Sequence, residues 1–257
     1  MTRKPKQQVK EIALAAAPEE IWRAVAEADG LTRWFCTHAA VDAGLGGALR
    51  VAWGAPPDGE GARITLWEPL RHLRTEDTSH GLPVAVDFEL ETRGGTTLLR
   101  VVQSGFADDD PTWDSTDRGW DLFLGNLRLA VERGRGLPCL HLFAMPSHAL
   151  SPSAAWDRLL GPAGLGLAPG EAPDTGRAVQ LAPAGEAPFA ATLDLWRPGV
   201  AFGAVRADRP ERLGFTVEPG EGPVYACRLV FGPPGDATAA TADGWDRLVR
   251  GALAAAP

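Results

Sequence analysis

Side chains that could perform catalysis or bind a metal are few in this sequence and lie far apart. The chain of 257 residues contains five histidines and three cysteines. Cys139 and His141 stand two residues apart on one face of a predicted strand, but a zinc site needs more ligands nearby. The sequence contains no Ser/His/Asp signature, no phosphate-binding loop and no metal motif. It therefore predicts no catalytic residue, no metal site and no cofactor.

Aromatic side chains offer a different chemistry, which is the binding of apolar molecules. Tryptophan and phenylalanine occur nine times each, and several of them fall on positions that the pattern assigns to the interior. Gln103 shares that inward phase and could donate a hydrogen bond inside an apolar cavity. The predicted ligand-binding residues are Trp53, Phe88, Gln103, Trp113, Trp120 and Phe123. The alternative is that these aromatic residues simply fill an ordinary core.

One long helix must position several of these residues. The stretch from Pro111 to Gly134 begins with a proline that suits a first helical turn and ends at a glycine. Its apolar residues recur at helical spacing on one face, and they are Trp120, Phe123, Leu124, Leu127 and Val131. A helix with such bulky residues on one face has to lie against a large apolar surface.

That surface is predicted to be a curved antiparallel sheet. From Gly47 to Phe106 apolar and polar residues alternate in short runs, most clearly in the run Val84–Leu90. The pair Gly94-Gly95 predicts a hairpin turn into the following strand. We expect the apolar face of this sheet to grip the long helix.

The polar positions of these strands are predicted to face away from the helix. Arg100 alternates with Leu99 and Val101, so its side chain should point to the opposite face. His72 is in phase with Arg74 and is interpreted as a solvated strand position, while a pH-responsive role stays open.

The chain before the sheet completes a module of about 135 residues, which is an ordinary size for a domain. Residues 7–15 predict a first strand, with Val9, Ile12 and Leu14 as its apolar residues. Pro18, followed by two glutamates, predicts the start of a helix. The predicted order is one strand, two short helices, a run of strands and one long helix, which makes an α+β module.

The second half of the chain repeats motifs of the first half in the same order. Pro152–Trp156 has the spacing of Pro18–Trp22, and the Gly-Trp-Asp of residues 244–246 matches that of residues 119–121. Similar motifs at similar separations indicate a diverged tandem duplication. The predicted domains are residues 1–136 and residues 137–257.

Composition and charge argue against several classes of function. The net charge of −8 disfavours nucleic acid or an anionic membrane as the main partner. No apolar run approaches the ~18 residues that a membrane span needs, and no signal peptide opens the chain. We therefore expect a cytoplasmic protein that has no membrane span and no nucleic-acid partner. The sequence does not identify a protein partner.

An ordered set of short motifs makes the first half resemble the START-like superfamily, also called Bet v 1-like or SRPBCC. Within it, the set resembles the branch named after the activator of Hsp90 ATPase. The motifs are Pro18–Trp22, Leu31–Phe35, Gly46-Gly47, Trp67–Pro69, Gly94–Val101, Gly105-Phe106 and Gly119-Trp120. The second half departs from this pattern, because no counterpart of Leu31–Phe35 follows Trp156.

The resemblance implies two helix-grip domains in tandem, each a curved antiparallel sheet wrapped on a long C-terminal helix. Such folds leave a deep apolar cavity between sheet and helix, which holds lipids, sterols, aromatic polyketides or other flat hydrophobic molecules. We expect the ligand in the first domain, and a structural or partner-binding role for the second.

Three functions follow from the resemblance. The one adopted as the prediction is the binding and sequestration, without catalysis, of a hydrophobic small molecule such as a polyketide or enediyne natural product. That role would serve self-resistance or biosynthesis. Enediyne self-resistance proteins of this superfamily are cleaved at a glycine, and Gly54, Gly105, Gly119 and Gly125 lie near the predicted cavity. The alternatives are a polyketide cyclase/aromatase and an Hsp90 co-chaperone-like protein.

Overall fold

The computed structural model describes residues 6–78, 83–167, 173–219, 222–232 and 242–254. The chain divides into two compact units. The first unit comprises the chain up to Trp120 together with Ala130–Glu132, and the second comprises Asp121–Leu129 together with the chain from Arg133 onward. Each unit contains one antiparallel sheet and its helices, which confirms the predicted α+β class with two helix-grip folds in tandem.

The first unit is a seven-stranded sheet with three helices. Its elements are β1 (Lys6–Leu14), α1 (Pro18–Ala26), α2 (Ala28–Leu31), β2 (His38–Val41), β3 (Ala48–Ala52), β4 (Ala62–Glu68), β5 (His72–Asp77), β6 (Val84–Arg93), β7 (Thr96–Phe106) and α3 (Trp113–Glu132). The strand order is β1-β7-β6-β5-β4-β3-β2. Each strand therefore lies beside its neighbour in sequence, except that the first strand pairs with the last.

Local sequence explains where these elements begin and turn. Pro18 occupies the first turn of α1, followed by two glutamates at the positive end of the helix dipole. On the buried face of α1, Trp22 packs edge-on against Trp67 of β4, with ring centroids 5.1 Å apart. Gly94 and Gly95 have φ angles of +56° and +86°, which confirms the predicted hairpin between β6 and β7.

Strand β1 differs from its sequence-based description in one respect. Val9 is 41% exposed, whereas Gln8 is 4% exposed and faces the interior. The reason is the phase of the strand, because Gln8, Ile12 and Leu14 share one face and all three are buried. A polar residue therefore occupies an inward position that the apolar pattern had not marked.

The second unit repeats the topology of the first with six strands among the described residues. Its further elements are β8 (Cys139–Ala144), α4 (Pro152–Leu160), β9 (Ala178–Leu181), β10 (Phe189–Arg197), β11 (Ala201–Arg206), β12 (Glu211–Val217), β13 (Val224–Phe231) and α5 (Ala242–Ala254). The strand order is β8-β13-β12-β11-β10-β9, so the first strand again pairs with the last. In this unit Trp156 of α4 packs edge-on against Trp196 of β10 at 5.3 Å, as Trp22 does against Trp67.

Helix α3 contributes to both units. Its two end segments contact the N-terminal part of the first unit, where Lys10 of β1 pairs with Asp117 at 2.7 Å and the amide of Ala15, just after β1, donates to Glu132 at 2.9 Å. Its middle segment, Asp121–Leu129, belongs to the second unit. The single apolar stripe predicted for this helix is therefore incomplete, because residues outside the stripe are buried as well, namely Leu122, Asn126 and Leu129.

No helix among the residues that the structure describes is long and apolar enough to cross a membrane.

Candidate functional site

Four aromatic side chains meet inside the first unit, and we call them the Trp120 cluster: Phe35, Trp53, Phe88 and Trp120. The ring of Phe35 stacks on that of Trp120 with an interplanar angle of 9° and a centroid distance of 5.8 Å. Phe88 approaches Trp120 edge-on at 6.0 Å, and Trp53 approaches Phe35 edge-on at 5.2 Å. Trp120 and Phe88 are buried, whereas Phe35 and Trp53 are half-buried. The cluster thus runs from the core toward the surface.

Hydrogen bonds fix two members of the cluster. The indole nitrogen of Trp120 donates to Oε1 of Gln103 at 2.8 Å, and that of Trp53 donates to the carbonyl of Phe35 at 2.6 Å. Five parts of the unit supply the cluster and Gln103: the turn after α2, the residue after β3, strand β6, strand β7 and helix α3. The site is therefore built on the framework of the unit rather than on one loop.

The structure brings together four of the six residues predicted from the sequence, namely Trp53, Phe88, Gln103 and Trp120. Trp113 lies elsewhere, at the first turn of α3, where its ring packs edge-on against Phe106 at 5.1 Å. The ammonium group of Lys6 lies 3.8 Å from the centre of the same ring. Phe123 lies in the segment of α3 that belongs to the second unit. Ligand contact by any of these residues stays a prediction.

Two residues of this region were missed as site candidates. Phe35 ends the motif Leu31–Phe35 and is the ring that stacks on Trp120, so the motif itself was the available signal. Gln8 gave no signal, because a polar residue in a strand is ordinarily assigned to the solvated face. Its Nε2 donates to the carbonyl of Trp113, while its buried Oε1 has no hydrogen-bond partner.

The face of the first sheet that points away from α3 carries a set of paired charged residues. Arg100 pairs with Glu89 at 2.7 Å, which confirms its predicted outward direction. His72 is not a fully solvated residue, because its Nε2 lies 2.8 Å from Oδ1 of Asp87 and its side chain is 26% exposed. Asp87 also binds Arg74 at 2.7 Å. The hydrogen bond that Arg74 donates to Glu76 raises the pKa of Arg74, so the guanidinium stays charged.

The second unit instead carries charged groups in its interior. Glu211 is fully buried and accepts hydrogen bonds from Arg228 at 2.7 Å and from Arg209 at 2.5 Å. Arg228 also binds both carboxylate oxygens of Glu186, at 2.5 and 2.8 Å. Burial lowers the pKa of Arg228, but its contacts with Glu186 and Glu211 outweigh that effect and raise it. These charges are compensated, as buried ion pairs must be.

A second buried guanidinium lies on the opposite face of the same sheet. Arg212 is fully buried and binds Asp194 at 2.7 Å and the side-chain oxygen of Asn126 at 2.7 Å. Three glycines leave the space that it occupies, since a Cβ atom at Gly125, Gly203 or Gly214 would lie 2.2 to 3.0 Å from its terminal nitrogens. Both faces of this sheet are therefore covered.

Among the residues that the structure describes, no group of three His, Cys, Asp or Glu side chains is placed to hold a metal ion. The Trp120 cluster with Gln103 is thus an apolar aromatic surface with an amide attached. Such a surface can stack on a flat ring and offer it hydrogen bonds.

The family of the first half can be identified by comparison. Residues 15–132 match the model of the family described as Activator of Hsp90 ATPase homolog 1-like protein, which confirms the resemblance predicted for this half. No curated protein sequence matches the chain.

Several solved structures are similar to the chain. The Aha1 dimer from Colwellia psychrerythraea is 23% identical, with 51% of this chain and 99% of that chain covered and a TM-score of 0.45. The di-domain ARO/CYC BexL from the BE-7585A biosynthetic pathway is 15% identical, with 96% and 93% covered and a TM-score of 0.44. DynU16, a protein of the dynemicin biosynthetic locus, is 18% identical, with 96% of each chain covered and a TM-score of 0.42.

Proposed function

We propose that the protein binds and sequesters a hydrophobic small molecule. The premise is that residues 15–132 form a domain of the activator of Hsp90 ATPase homolog 1-like family. The ligand would lie in the first unit, between the apolar face of the sheet and α3. The second unit would have a structural or partner-binding role. The observation that carries this proposal is the Trp120 cluster, whose aromatic rings extend from the core toward solvent.

The geometry of the cluster favours a flat ligand. Phe35 and Trp120 lie nearly parallel, and ring faces stack on planar molecules at the same spacing. We therefore take polycyclic aromatic polyketides and enediynes as the first classes to examine, in a self-resistance or biosynthetic accessory role. Trp53, half-buried at the outer end of the cluster, would contact the part of the ligand nearest to solvent.

The polar groups around the Trp120 cluster favour binding over catalysis. A cyclase must move protons, which requires an acid or a base within reach of the substrate. The polar side chain that contacts Trp120 is the amide of Gln103, which does not titrate. His72 lies on the opposite face of the sheet, bound to Asp87. A polyketide cyclase/aromatase is thus the second candidate.

A thermal-shift screen of the full chain tests the proposal with polycyclic polyketides, enediynes and fatty acids. A ligand at ~100 times its dissociation constant stabilises the folded state by about 2.7 kcal/mol, which gives a shift of several degrees. We expect Trp53→Leu to weaken binding by about tenfold, because it removes a large aromatic contact. The matched control is Trp196→Leu, since Trp196 is also half-buried in an edge-on ring pair but lies in the second unit.

The outcomes separate the candidate functions. A shift that Trp53→Leu reduces and Trp196→Leu leaves unchanged supports binding in the first unit. Conversion of a poly-ketone substrate mimic would show a cyclase instead. An absence of any shift would mean that the aromatic residues are only core, and the proposal would be abandoned.

A further inference from the structure

We infer that Gln8 and Gln103 form an amide pair that selects a neutral ligand carrying both a hydroxyl group and a carbonyl group. The inference rests on the proposed function, because it specifies the ligand class of the same site. Gln103 is the amide bound to Trp120, and Gln8 is the residue opposite it on the neighbouring strand.

The register of the sheet places the two amides side by side. Gln8 of β1 pairs directly with Gln103 of β7, and the next inward pairs are Lys10 with Val101 and Ile12 with Leu99. Directly opposite residues of an antiparallel pair share a face, with Cβ atoms roughly 4.5–5.5 Å apart. Both glutamines therefore project toward α3, and Gln8 is buried whereas Gln103 is half-buried.

Hydrogen bonds to α3 fix the orientation of both amides. Gln8 donates through Nε2 to the carbonyl of Trp113, so its remaining group is the acceptor Oε1. That oxygen is buried and has no partner among the described residues. Gln103 accepts through Oε1 from the indole of Trp120, so its remaining group is the donor Nε2. Neither amide can flip without losing its bond to the helix.

An acceptor and a donor thus stand next to each other beside an aromatic surface. A buried polar atom without a partner is costly, and a ligand that supplies the missing bond recovers that cost. The complementary ligand donates a hydroxyl to Oε1 of Gln8 and accepts at a carbonyl from Nε2 of Gln103. A hydroxylated polycyclic quinone has both groups on a flat ring system.

The same geometry disfavours an anionic ligand such as a fatty acid. The two cations nearest to Gln8 along β1 are already engaged, because Lys10 binds Asp117 on α3 at 2.7 Å and the ammonium group of Lys6 lies 3.8 Å from the centre of the Trp113 ring. A carboxylate at the amide pair would meet the oxygen of Gln8, and one of these cations would have to leave its present contact to compensate the negative charge.

The test compares three probes on the full chain at roughly pH 6, where a phenol is neutral. They are 2-hydroxyanthraquinone, 2-methoxyanthraquinone, which lacks the hydroxyl donor, and oleate. We expect the hydroxyl compound to bind about tenfold more tightly than the methoxy compound, which is the usual value of one buried hydrogen bond. Tryptophan fluorescence quenching gives the dissociation constants.

Variants of the pair then assign the preference to its residues. Gln8→Leu should abolish the preference for hydroxyl over methoxy while it leaves methoxy binding within about threefold. Gln103→Leu should weaken both quinones, since both present a carbonyl. Gln7→Leu is the matched control, because Gln7 is the adjacent glutamine on β1 and is exposed on the opposite face. It should behave as the unmodified chain does.

Failure of this inference can be told apart from failure of the proposed function. If the unmodified chain binds both quinones equally, or binds oleate more tightly, the amide pair is not a selector although a ligand site exists. If no probe of any class binds, both the pair and the proposed function are overturned. The ranking by the unmodified chain decides the question even if Gln8→Leu folds poorly.

Discussion

Trp120 in the first unit and Trp245 in the second have equivalent positions, each within a Gly-Trp-Asp motif on the C-terminal helix of its unit. Trp120 donates its indole N–H to the side chain of Gln103 on β7, whereas Trp245 donates to the backbone carbonyl of Ala226 on β13 at 3.4 Å. Opposite Gln103 on the next strand stands Gln8, but opposite Ala226 stands Ala144. A pair of amides in one unit is thus replaced by a pair of methyl groups in the other.

The interiors of the two units also differ in how their aromatic rings and polar groups are packed. In the second unit Phe215 stacks on Phe202 at 5.3 Å and also contacts Trp156 at 5.4 Å, and all three are buried. Its buried carboxylates and guanidinium groups are paired with one another, and among them one oxygen of Asp194 and one terminal nitrogen of Arg212 have no hydrogen-bond partner in the described part of the chain. In the first unit Arg100 pairs with Glu89 on the outer face of the sheet and Lys10 pairs with Asp117 of α3 on the inner face. The amide oxygen of Gln8 is buried there without a hydrogen-bond partner among the described residues.

Under the proposed function, one topology serves two purposes. A core of buried stacked rings and paired charges stabilises a fold. A half-buried aromatic cluster beside an unsatisfied amide oxygen is less favourable for stability but suits a binding site. The duplication would then allow one copy to keep a ligand while the other became a support.

The alkylation rates of the buried cysteines Cys36 and Cys227 should report on the two units separately. Of the three predictions for the two units, this one has the largest expected effect. Burial raises the pKa of Cys36, in the first unit, to about 12, and burial also raises that of Cys227, in the second. At about pH 8 we expect Cys36 to react with iodoacetamide about a thousandfold more slowly than an unfolded cysteine, because so little thiolate is present. The half-buried Cys139 is the reactive reference in the same chain.

A saturating ligand sharpens this measurement. It should slow the alkylation of Cys36, which directly follows Phe35, more than that of Cys227, as mass spectrometry of the two peptides would show. Equal protection of both cysteines would contradict a ligand site confined to the first unit.

The direction in which stability depends on pH is also fixed, because the folded chain keeps a proton on Cys36 that the unfolded chain has lost. Stability should therefore fall as the pH rises from about 8.5 toward about 12.

Removal of a buried charge should be far more costly than removal of an outer one. We expect Glu211→Ala to lower the free energy of unfolding by about 3–5 kcal/mol, because Arg228 loses a buried partner. Arg100→Ala, which removes an outer-face ion pair of the first unit, should cost about 0–1 kcal/mol. Urea denaturation measures both. Similar losses for the two variants would mean that the charges of the second unit are not a distinct structural feature.

Replacement by alanine should change the free energy of unfolding in opposite directions at two glycines of helix α3. In Gly125→Ala the new Cβ would lie 2.5 Å from Arg212, so we expect a loss of about 1–3 kcal/mol. In Gly119→Ala the new Cβ would meet nothing within 4 Å, so we expect a gain of about 0.5–1 kcal/mol from helix propensity. Melting curves of the two variants compare them directly. A loss at both positions would show that α3 is tightly packed along both segments.

Much of the fold could be predicted because alternation and turn residues agree with it. The run Val84–Leu90 and the pair Gly94-Gly95 led directly to β6 and its hairpin. Helix α3 begins and ends within two residues of the predicted stretch. The patterns were strong because each of these elements has one clear apolar face.

The buried polar residues could not be predicted in the same way. Glu211 and Arg212 are neighbours in β12, so they point to opposite faces and only one of them could reach solvent on a sheet with one open face. Both are fully buried, because the described elements cover both faces. Gln8 is hidden for a different reason, since its burial depends on the register with Gln103 rather than on its own neighbours in sequence.

The shared helix α3 has a consequence for how this protein could evolve or be dissected. Its segment Asp121–Leu129 is part of the second unit, where Leu122 and Asn126 bind Arg212. A gene shortened after residue 136 would encode the complete first module by sequence, yet its product would present the buried Leu122, Asn126 and Leu129 to water. The first half can therefore no longer be separated at that boundary without uncovering part of its own C-terminal helix.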